Sequence, residues 1–431
     1  MDNDTIFALS SGYGKSGVAV IRISGDLLGE FAEKITGRTA IPRHAYFTNL
    51  RDDNGETIDQ CVVIYFAAPH SFTGTDIIEI HSHGAPAVIN KIFEFLSAHG
   101  MRIATPGEFS RRAFYANKMD LADIDGLAAL LDAQTDKQRI AALKSMMGGD
   151  GAIYHDWRNQ MLDIAAYAAA MTDYDADDLP ANISDTIMQR IKTLYTAVSG
   201  ALANYKSGRA ITNGINIAIV GETNVGKSSL FNTILGTARA IVSDTPGTTR
   251  DVVSASVDMD GFLVNLSDTA GIRETADEIE RIGIERTNAE MENADIVIHV
   301  ITPNNSANKV APKEILVVNK SDTTKSHNIK NAIYVSAKTG DGIESLMNTI
   351  KSKIYEITNA GESRLMINAR TYELVKSAAN ELKNAIETFN GDYDILTEHV
   401  RYASDAIGKI TGQIRTSEIL DATFSQLCLG K

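Results

Sequence analysis

The sequence predicts a multidomain protein of α/β plus all-α class, in which a helical domain is interrupted by a second α/β domain. Three observations predict it. Residues 1–118 mix β-rich runs with turns. Residues 215–232 read as strand, glycine-rich loop and helix. Helical runs rich in Ala, Leu, Asp and Lys lie on both sides of that segment, at 121–206 and again at 369–425.

The elements follow in order. Apolar, β-branched runs predict strands over 18–23, 61–66 and 77–81. Residues 85–99 place Val88, Ile92, Phe93 and Leu96 on one helical face. From 119 the texture turns helical, with helices expected over 121–147, 154–172 and 184–206. Asn213-Gly214 breaks that pattern. Strands are then expected over 215–220, 262–266, 315–318 and 332–335. After 358 helices return over 369–389, 399–410 and 417–425. Neither helical half is large enough to close a core well, so the two halves are expected to pack together. The division is therefore 1–118, 119–212, 213–357 and 358–431.

Composition sets the outer bounds. At 431 residues the chain should form about three domains. Hydrophobic residues at 44% and charged residues at 22% are ordinary for a globular protein. No apolar run approaches a membrane span, and Met1-Asp2-Asn3-Asp4 lacks a basic leader, so a cytoplasmic protein without a membrane role is expected. Cys61 and Cys428 do not suggest a disulfide framework. Cys428 stands fourth from the end, but Gly430 and Lys431 fit a prenylation signal poorly. A net charge of −14 gives no bulk attraction to nucleic acid, so an RNA partner must meet a local basic patch or another protein.

The chemistry begins at 221–228, Gly-Glu-Thr-Asn-Val-Gly-Lys-Ser. This is G-x-x-x-x-G-K-[ST], a loop whose backbone N–H groups cradle phosphates. The strand before it and the helix opening at Ser228-Ser229 are the context that chemistry needs. Asn224, Val225 and Gly226 line the loop. Lys227 is placed for the β- and γ-phosphates and Ser228 for Mg²⁺. Asp268-Thr269-Ala270-Gly271 supplies a D-x-x-G site, with an aspartate for Mg²⁺ and a glycine N–H for the γ-phosphate. Asn319-Lys320-Ser321-Asp322 spells N-K-x-D, whose carboxylate suits the ring N–H and exocyclic amine of guanine. Ser336-Ala337-Lys338 matches a further guanine-contact loop. Gly247-Thr248-Thr249-Arg250-Asp251 lies where a switch threonine should bind Mg²⁺. Five motifs in order indicate a Ras-like P-loop G domain and GTP; N-K-x-D argues against an ATPase.

The whole chain resembles the bacterial tRNA-modifying GTPase family called MnmE or TrmE. The resemblance is carried by Asp4-Thr5-Ile6, Ile21-Arg22-Ile23-Ser24-Gly25 and Ser71-Phe72-Thr73-Gly74. It continues through 106–114 (Pro-Gly-Glu-Phe-Ser-Arg-Arg-Ala-Phe), Asn117-Lys118-Met119-Asp120-Leu121, 281–286 (Arg-Ile-Gly-Ile-Glu-Arg) and Cys428-Leu429-Gly430-Lys431. It implies an N-terminal domain that binds folate and dimerises. It also implies an FAD-dependent partner of MnmG type, in a heterotetramer or larger complex. Together the two would install an aminomethyl or carboxymethylaminomethyl group at C5 of the wobble uridine of tRNA, from a tetrahydrofolate one-carbon unit. One departure is Thr223, where many relatives carry proline.

The resemblance also assigns residues. Ile272 stands where Ras-like proteins hold a water-positioning glutamine, and Glu280 is implied as the catalytic group acting through water. Taken alone, Glu280 reads as a solvated helix residue. Asn224 is implied as a K⁺ ligand, capped by Ser243, Asp244, Thr245, Pro246, Gly247 and Thr248, with Ser243, Thr245 and Thr248 on the ion and Thr249 on Mg²⁺. Arg22, Glu79, Lys118 and Lys431 are implied as the folate residues. As isolated residues they read as ordinary surface or strand-edge charges. Cys428 is left without an assigned role, and His81 and His83 read as structural. Two other readings stay open: a ribosome-assembly GTPase switch, and a folate-dependent methyltransferase with a regulatory G domain.

Overall fold

The computed structural model describes residues 4–173, 182–241, 253–268, 291–303, 311–323, 329–358, 365, 368–414, 420, 423–424, 427 and 430. The chain forms two compact units. The first comprises Met1–Ala128, Gly151–Asn159 and Ser404–Lys431, and the second comprises Ala129–Asp150 and Gln160–Ala403.

The first unit is built on a six-stranded sheet. Its strands are β1 (Ile6–Leu9), β2 (Ser16–Gly25), β3 (Ala45–Arg51), β4 (Thr57–Phe66), β5 (Asp76–Gly84) and β6 (Arg102–Ile103). Their order is β3-β4-β5-β2-β1-β6. Among the described residues of this sheet, only the β1–β6 pair is parallel. Side chains alternate across each strand. Ile21 and Ile23 of β2, and Ile78 and Ile80 of β5, join a core with Ala32 and Ile35 of α1 (Gly29–Thr36) and Ile92, Phe95 and Leu96 of α2 (Pro86–Ala98). Arg22 and Glu79 alternate with these residues and are cross-strand partners on the opposite face. The helices α3 (Glu108–Tyr115) and α4 (Leu121–Asp132) meet the C-terminal segment, where Phe114, Leu121 and Ile124 pack with Leu420, Phe424 and Leu427. Gly107 is required there: a Cβ on it would stand 2.2 Å from the carbonyl oxygen of Phe424.

The second unit holds a seven-stranded sheet. The strands are β7 (Ile215–Val220), β8 (Arg239–Ala240), β9 (Val253–Met259), β10 (Phe262–Asp268), β11 (Ile296–Ile301), β12 (Glu314–Val318) and β13 (Ile333–Tyr334). Their order is β13-β12-β11-β7-β10-β9-β8. Pairing is parallel from β13 to β10 and antiparallel through β9 and β8. The core on one face joins β7 and β10 residues to Leu230, Phe231 and Ile234 of α9 (Lys227–Thr237) and to Leu346 and Ile350 of α10 (Ile343–Thr358). Because β7 lies between β10 and β11, the chain leaves its C-terminal edge at a switch point of strand order, where an open α/β sheet offers a crevice.

The helical elements are α5 (Asp136–Met146), α6 (Gly149–Asp173), α7 (Ile183–Ala203), α8 (Tyr205–Thr212), α11 (Ala369–Thr388) and α12 (Tyr393–Thr411). In the second unit α7 packs along α11, and Tyr205 stacks on Tyr372 with ring centroids 4.1 Å apart. The single helix expected over 121–147 is two, α4 and α5. The second starts at a capping box: Gln138 Oε1 accepts the backbone N–H groups of Gln134 and Thr135 at 3.0 and 3.1 Å. The helix expected to end at 206 passes instead, through Asn204, into α8. Among the described residues no helix is long and apolar enough to cross a membrane.

Candidate functional site

The G-x-x-x-x-G-K-[ST] loop leaves the buried strand β7 and re-enters as α9, and its conformation depends on glycine at two places. Gly221 has φ +150°, and a Cβ there would stand 2.2 Å from the carbonyl oxygen of Val300. Gly226 has φ +94°, and its Cβ would stand 2.3 Å from Asn319 Nδ2. Asn224 also takes a left-handed conformation, φ +64°, which asparagine tolerates better than most residues. Val225 is buried, while Asn224, Ser228 and Ser229 are exposed, the two serines in the first turn of α9.

Lys227 is 7% exposed, and its Nζ donates to the carbonyl oxygens of Gly221 and Glu222, both at 2.8 Å. Burial pulls the Lys227 ammonium below the usual lysine range, and the charge of Asp268 opposes that shift. Asp268 is itself buried at the end of β10, paired in register with Ile219 of β7. A buried cation at a helix N-terminus, beside a glycine-rich turn, fits a polyphosphate. A neighbouring carboxylate and the Ser228 hydroxyl fit a hard divalent cation.

The loops at 319–322 and 336–338 are joined to the 221–228 loop by side chains. Asn319 is 2% exposed and bridges two loops: Nδ2 donates to Val225 O at 2.9 Å, and Oδ1 accepts from the N–H of Ala337 at 3.1 Å. Lys320 Nζ donates to Asn224 O at 2.7 Å. Asp322 is exposed and accepts from the buried Ser336 Oγ at 2.8 Å, which orients its carboxylate. Lys338 is exposed. Asn319 and Lys320 thus brace the 221–228 loop, while Asp322 has its carboxylate exposed. Sequence reasoning missed Thr233, whose Oγ1 donates to Ala337 O at 3.2 Å. It also missed Asp341, whose carbonyl accepts the Ser336 N–H at 2.9 Å. The turn-rich run Thr339-Gly340-Asp341-Gly342 was the available signal for the second; Thr233 gave none.

In the first unit, Arg22 and Glu79 form an ion pair. Arg22 Nε and Nη2 donate to Glu79 Oε1 at 3.0 and 2.8 Å, and His81 Nε2 lies 3.4 Å from Glu79 Oε2. The Arg22 guanidinium stands over Phe72 and Phe109, at 5.6 and 5.9 Å from the ring centroids. The C-terminal segment arrives at the same place. Gly430 O accepts from Ser10 Oγ at 3.1 Å and from Arg22 Nη1 at 3.4 Å. Lys118 is not among these contacts. It is exposed and lines a cavity of about 350 Å³ with Asp120, His155 and Gln413. His83 bonds to Asp59, with Nδ1 2.8 Å from Oδ1.

Ser243, Asp244, Thr245, Pro246, Gly247, Thr248, Thr249, Thr269, Ala270, Gly271, Glu280, Cys428 and Lys431 lie outside the described residues.

Residues 5–118 match the family described as GTP-binding protein TrmE N-terminus, and residues 121–428 match the MnmE helical domain. The tRNA modification GTPase MnmE of Brucella anthropi is 39% identical over 435 residues, covering 99% of this chain and 98% of that protein. The chain belongs to the MnmE family. A second member, from Agrobacterium fabrum, is 38% identical over 437 residues, covering 99% of both chains. Among solved structures, the G domain of the T. maritima FeoB iron transporter is 28% identical, covers 33% of this chain and 98% of its own, and gives a TM-score of 0.25. Aquifex aeolicus Era is 23% identical, covers 38% of this chain and 66% of its own, with a TM-score of 0.26.

Proposed function

We propose that this chain hydrolyses GTP to drive the modification of wobble uridine (U34) in tRNA, working with an FAD-dependent partner and a tetrahydrofolate one-carbon unit. The coarse part, a tRNA modification GTPase, follows from family membership. The observation that carries the nucleotide assignment is the bracing of the two loops: Asn319 and Lys320 hold Val225 and Asn224, leaving Asp322 for the base.

In this reading Lys227 binds the β- and γ-phosphates. Ser228, Thr249 and Asp268 would hold Mg²⁺, which supplies charge neutralisation there. Asn224, Ser243, Thr245 and Thr248 would hold K⁺, an added positive charge beside the phosphates that stimulates hydrolysis. Glu280 orients the attacking water. Arg22, Glu79, Lys118 and Lys431 bind the folate. The position of Gly430 beside the Arg22–Glu79 pair supports a place for Lys431 near them. Domains divide at 118, 212 and 357, the 1–118 domain dimerises, and the complex with the MnmG-type partner works in the cytoplasm. Neither the ribosome-assembly nor the methyltransferase reading has an observation in its favour.

The test is mass spectrometry of wobble nucleosides from a deletion strain. The C5-modified uridine should vanish and return with the wild-type gene. An unchanged nucleoside profile on deletion overturns the proposal. Complementation with Asp322→Asn should fail, and the purified variant should prefer xanthine nucleotides.

A further inference from the structure

The antiparallel ribbon of β9 and β10 has different partners at its two ends. Seven cross-strand pairs run from Phe262–Met259 to Asp268–Val253, a length of about 20 Å. One end delivers Asp268 to the nucleotide site. The other end is a tight turn at Asp260 and Gly261, with φ of 54° and 84°, the geometry of a two-residue hairpin.

That turn is gripped by helices remote from the nucleotide. Gly261 O accepts the backbone N–H of Lys137 at 3.1 Å. Lys137 is the second residue of α5, so its N–H has no acceptor within its own helix. The hairpin carbonyl fills that vacancy. Lys351 of α10 pairs with Asp260 Oδ1 at 2.8 Å, and Lys137 Nζ stands 5.6 Å from the centre of the Phe262 ring. The first turn of α5 is fixed in turn by Gln138, 7% exposed, whose Nε2 donates to Thr212 O at 2.7 Å.

We infer that the first turn of α5 is an allosteric anchor for the ribbon: it senses the state of the nucleotide site through β10 and, by reciprocity, sets the relative affinity for GTP and GDP. This rests on the guanine-nucleotide reading above. The ladder makes the ribbon stiff along its axis, so a shift of Asp268 toward or away from the phosphates carries Gly261 with it. The Lys137–Gly261 bond is already 3.1 Å long, and bonds of this kind weaken beyond about 3.2 Å. If nucleotide state changes that bond, the bond must change nucleotide affinity by the same factor.

The test uses the full chain, GDP and guanylyl imidodiphosphate. Affinities are read by fluorescence titration, and hydrogen exchange by mass spectrometry over 136–140. Lys137→Pro deletes the donor in the first helical turn, where proline is tolerated. Gln138→Met loosens the same turn without touching the ribbon, and it decides the question if Lys137→Pro does not fold. In the wild type, exchange over 136–140 should differ between the two nucleotides. Each folded variant should shift the affinity ratio by about fivefold or more, the lower bound for allosteric coupling. Equal exchange in both states, or a folded variant with the wild-type ratio, overturns the anchor alone. A wild type that binds neither nucleotide overturns the guanine reading and the anchor together.

Discussion

Replacing Gly226 with alanine should cripple nucleotide binding, while the same change at Gly236, on the same helix, should not. At Gly226 two costs combine. The residue holds φ +94°, and a left-handed backbone costs a non-glycine residue about 1–2 kcal/mol. The new Cβ would also stand 2.3 Å from Asn319 Nδ2 and must displace it. That breaks the 2.9 Å bond to Val225 O and leaves a buried carbonyl unsatisfied, a further cost of about 1–3 kcal/mol. On the proposed reading the loop binds phosphate in the braced conformation, so the combined cost of about 2–5 kcal/mol falls on affinity, a loss of about 30-fold at the low end. Gly236 has nothing within 4 Å of its Cβ position, and alanine there should be neutral or stabilise by about 0.5–1 kcal/mol. Titration with a fluorescent GDP analogue compares the two, with circular dichroism to show that both fold. Binding by Gly226→Ala within threefold of wild type would refute the bracing argument.

Four further outcomes are expected. GTP turnover should be faster in KCl than in matched NaCl, and Asn224→Ala should abolish the preference; a wild type indifferent to the cation removes the K⁺ site. Glu280→Ala should keep its GTP affinity and slow single-turnover hydrolysis by about 100-fold; an unchanged rate removes the catalytic assignment of Glu280. Removing Gly430 and Lys431 should weaken 5-formyltetrahydrofolate binding in calorimetry and leave GTP binding intact; absence of heat with the intact chain ends the folate assignment. Burial would raise the Glu108 pKa, but hydrogen bonds from Arg102 and the Thr105 N–H, with the charges of Arg102 and Arg112, pull it down to about 2. Its stabilisation is therefore complete above the ordinary glutamate range and is lost as pH falls through about 2. Acid titration of Glu108→Gln should lack that loss, and identical curves for variant and wild type would count against the ion-pair cluster.

The nucleotide loops were legible because phosphate and guanine chemistry restrict residue type at short spacing. The strands β7 and β12 were legible because a strand largely buried on both faces reads as a nearly continuous apolar run. What joins the loops was not. Asn319 and Val225 are 94 positions apart, and no local pattern reports which carbonyl a buried amide will reach. The motif therefore announces Asn319 and Lys320 as nucleotide-site residues without showing that their side chains bond to Val225 O and Asn224 O. The break between α4 and α5 was visible as Thr135 followed three residues later by Gln138, but helical composition on both sides hid it. Register was likewise silent: nothing local in the sequence sets Arg22 opposite Glu79, and only the resemblance grouped them.

The contact between Gly430 and the Arg22 side chain spans 408 positions, and this has a bearing on biosynthesis. At about 5–20 residues per second of translation, Arg22 is made tens of seconds before the residue that completes its surroundings. During that interval the N-terminal sheet can pair its strands, but Ser10 and Arg22 lack the Gly430 carbonyl, and Phe114 lacks Phe424. A ribosome that stalls or terminates early releases a chain whose first unit is unfinished at the surface that the C-terminal segment covers.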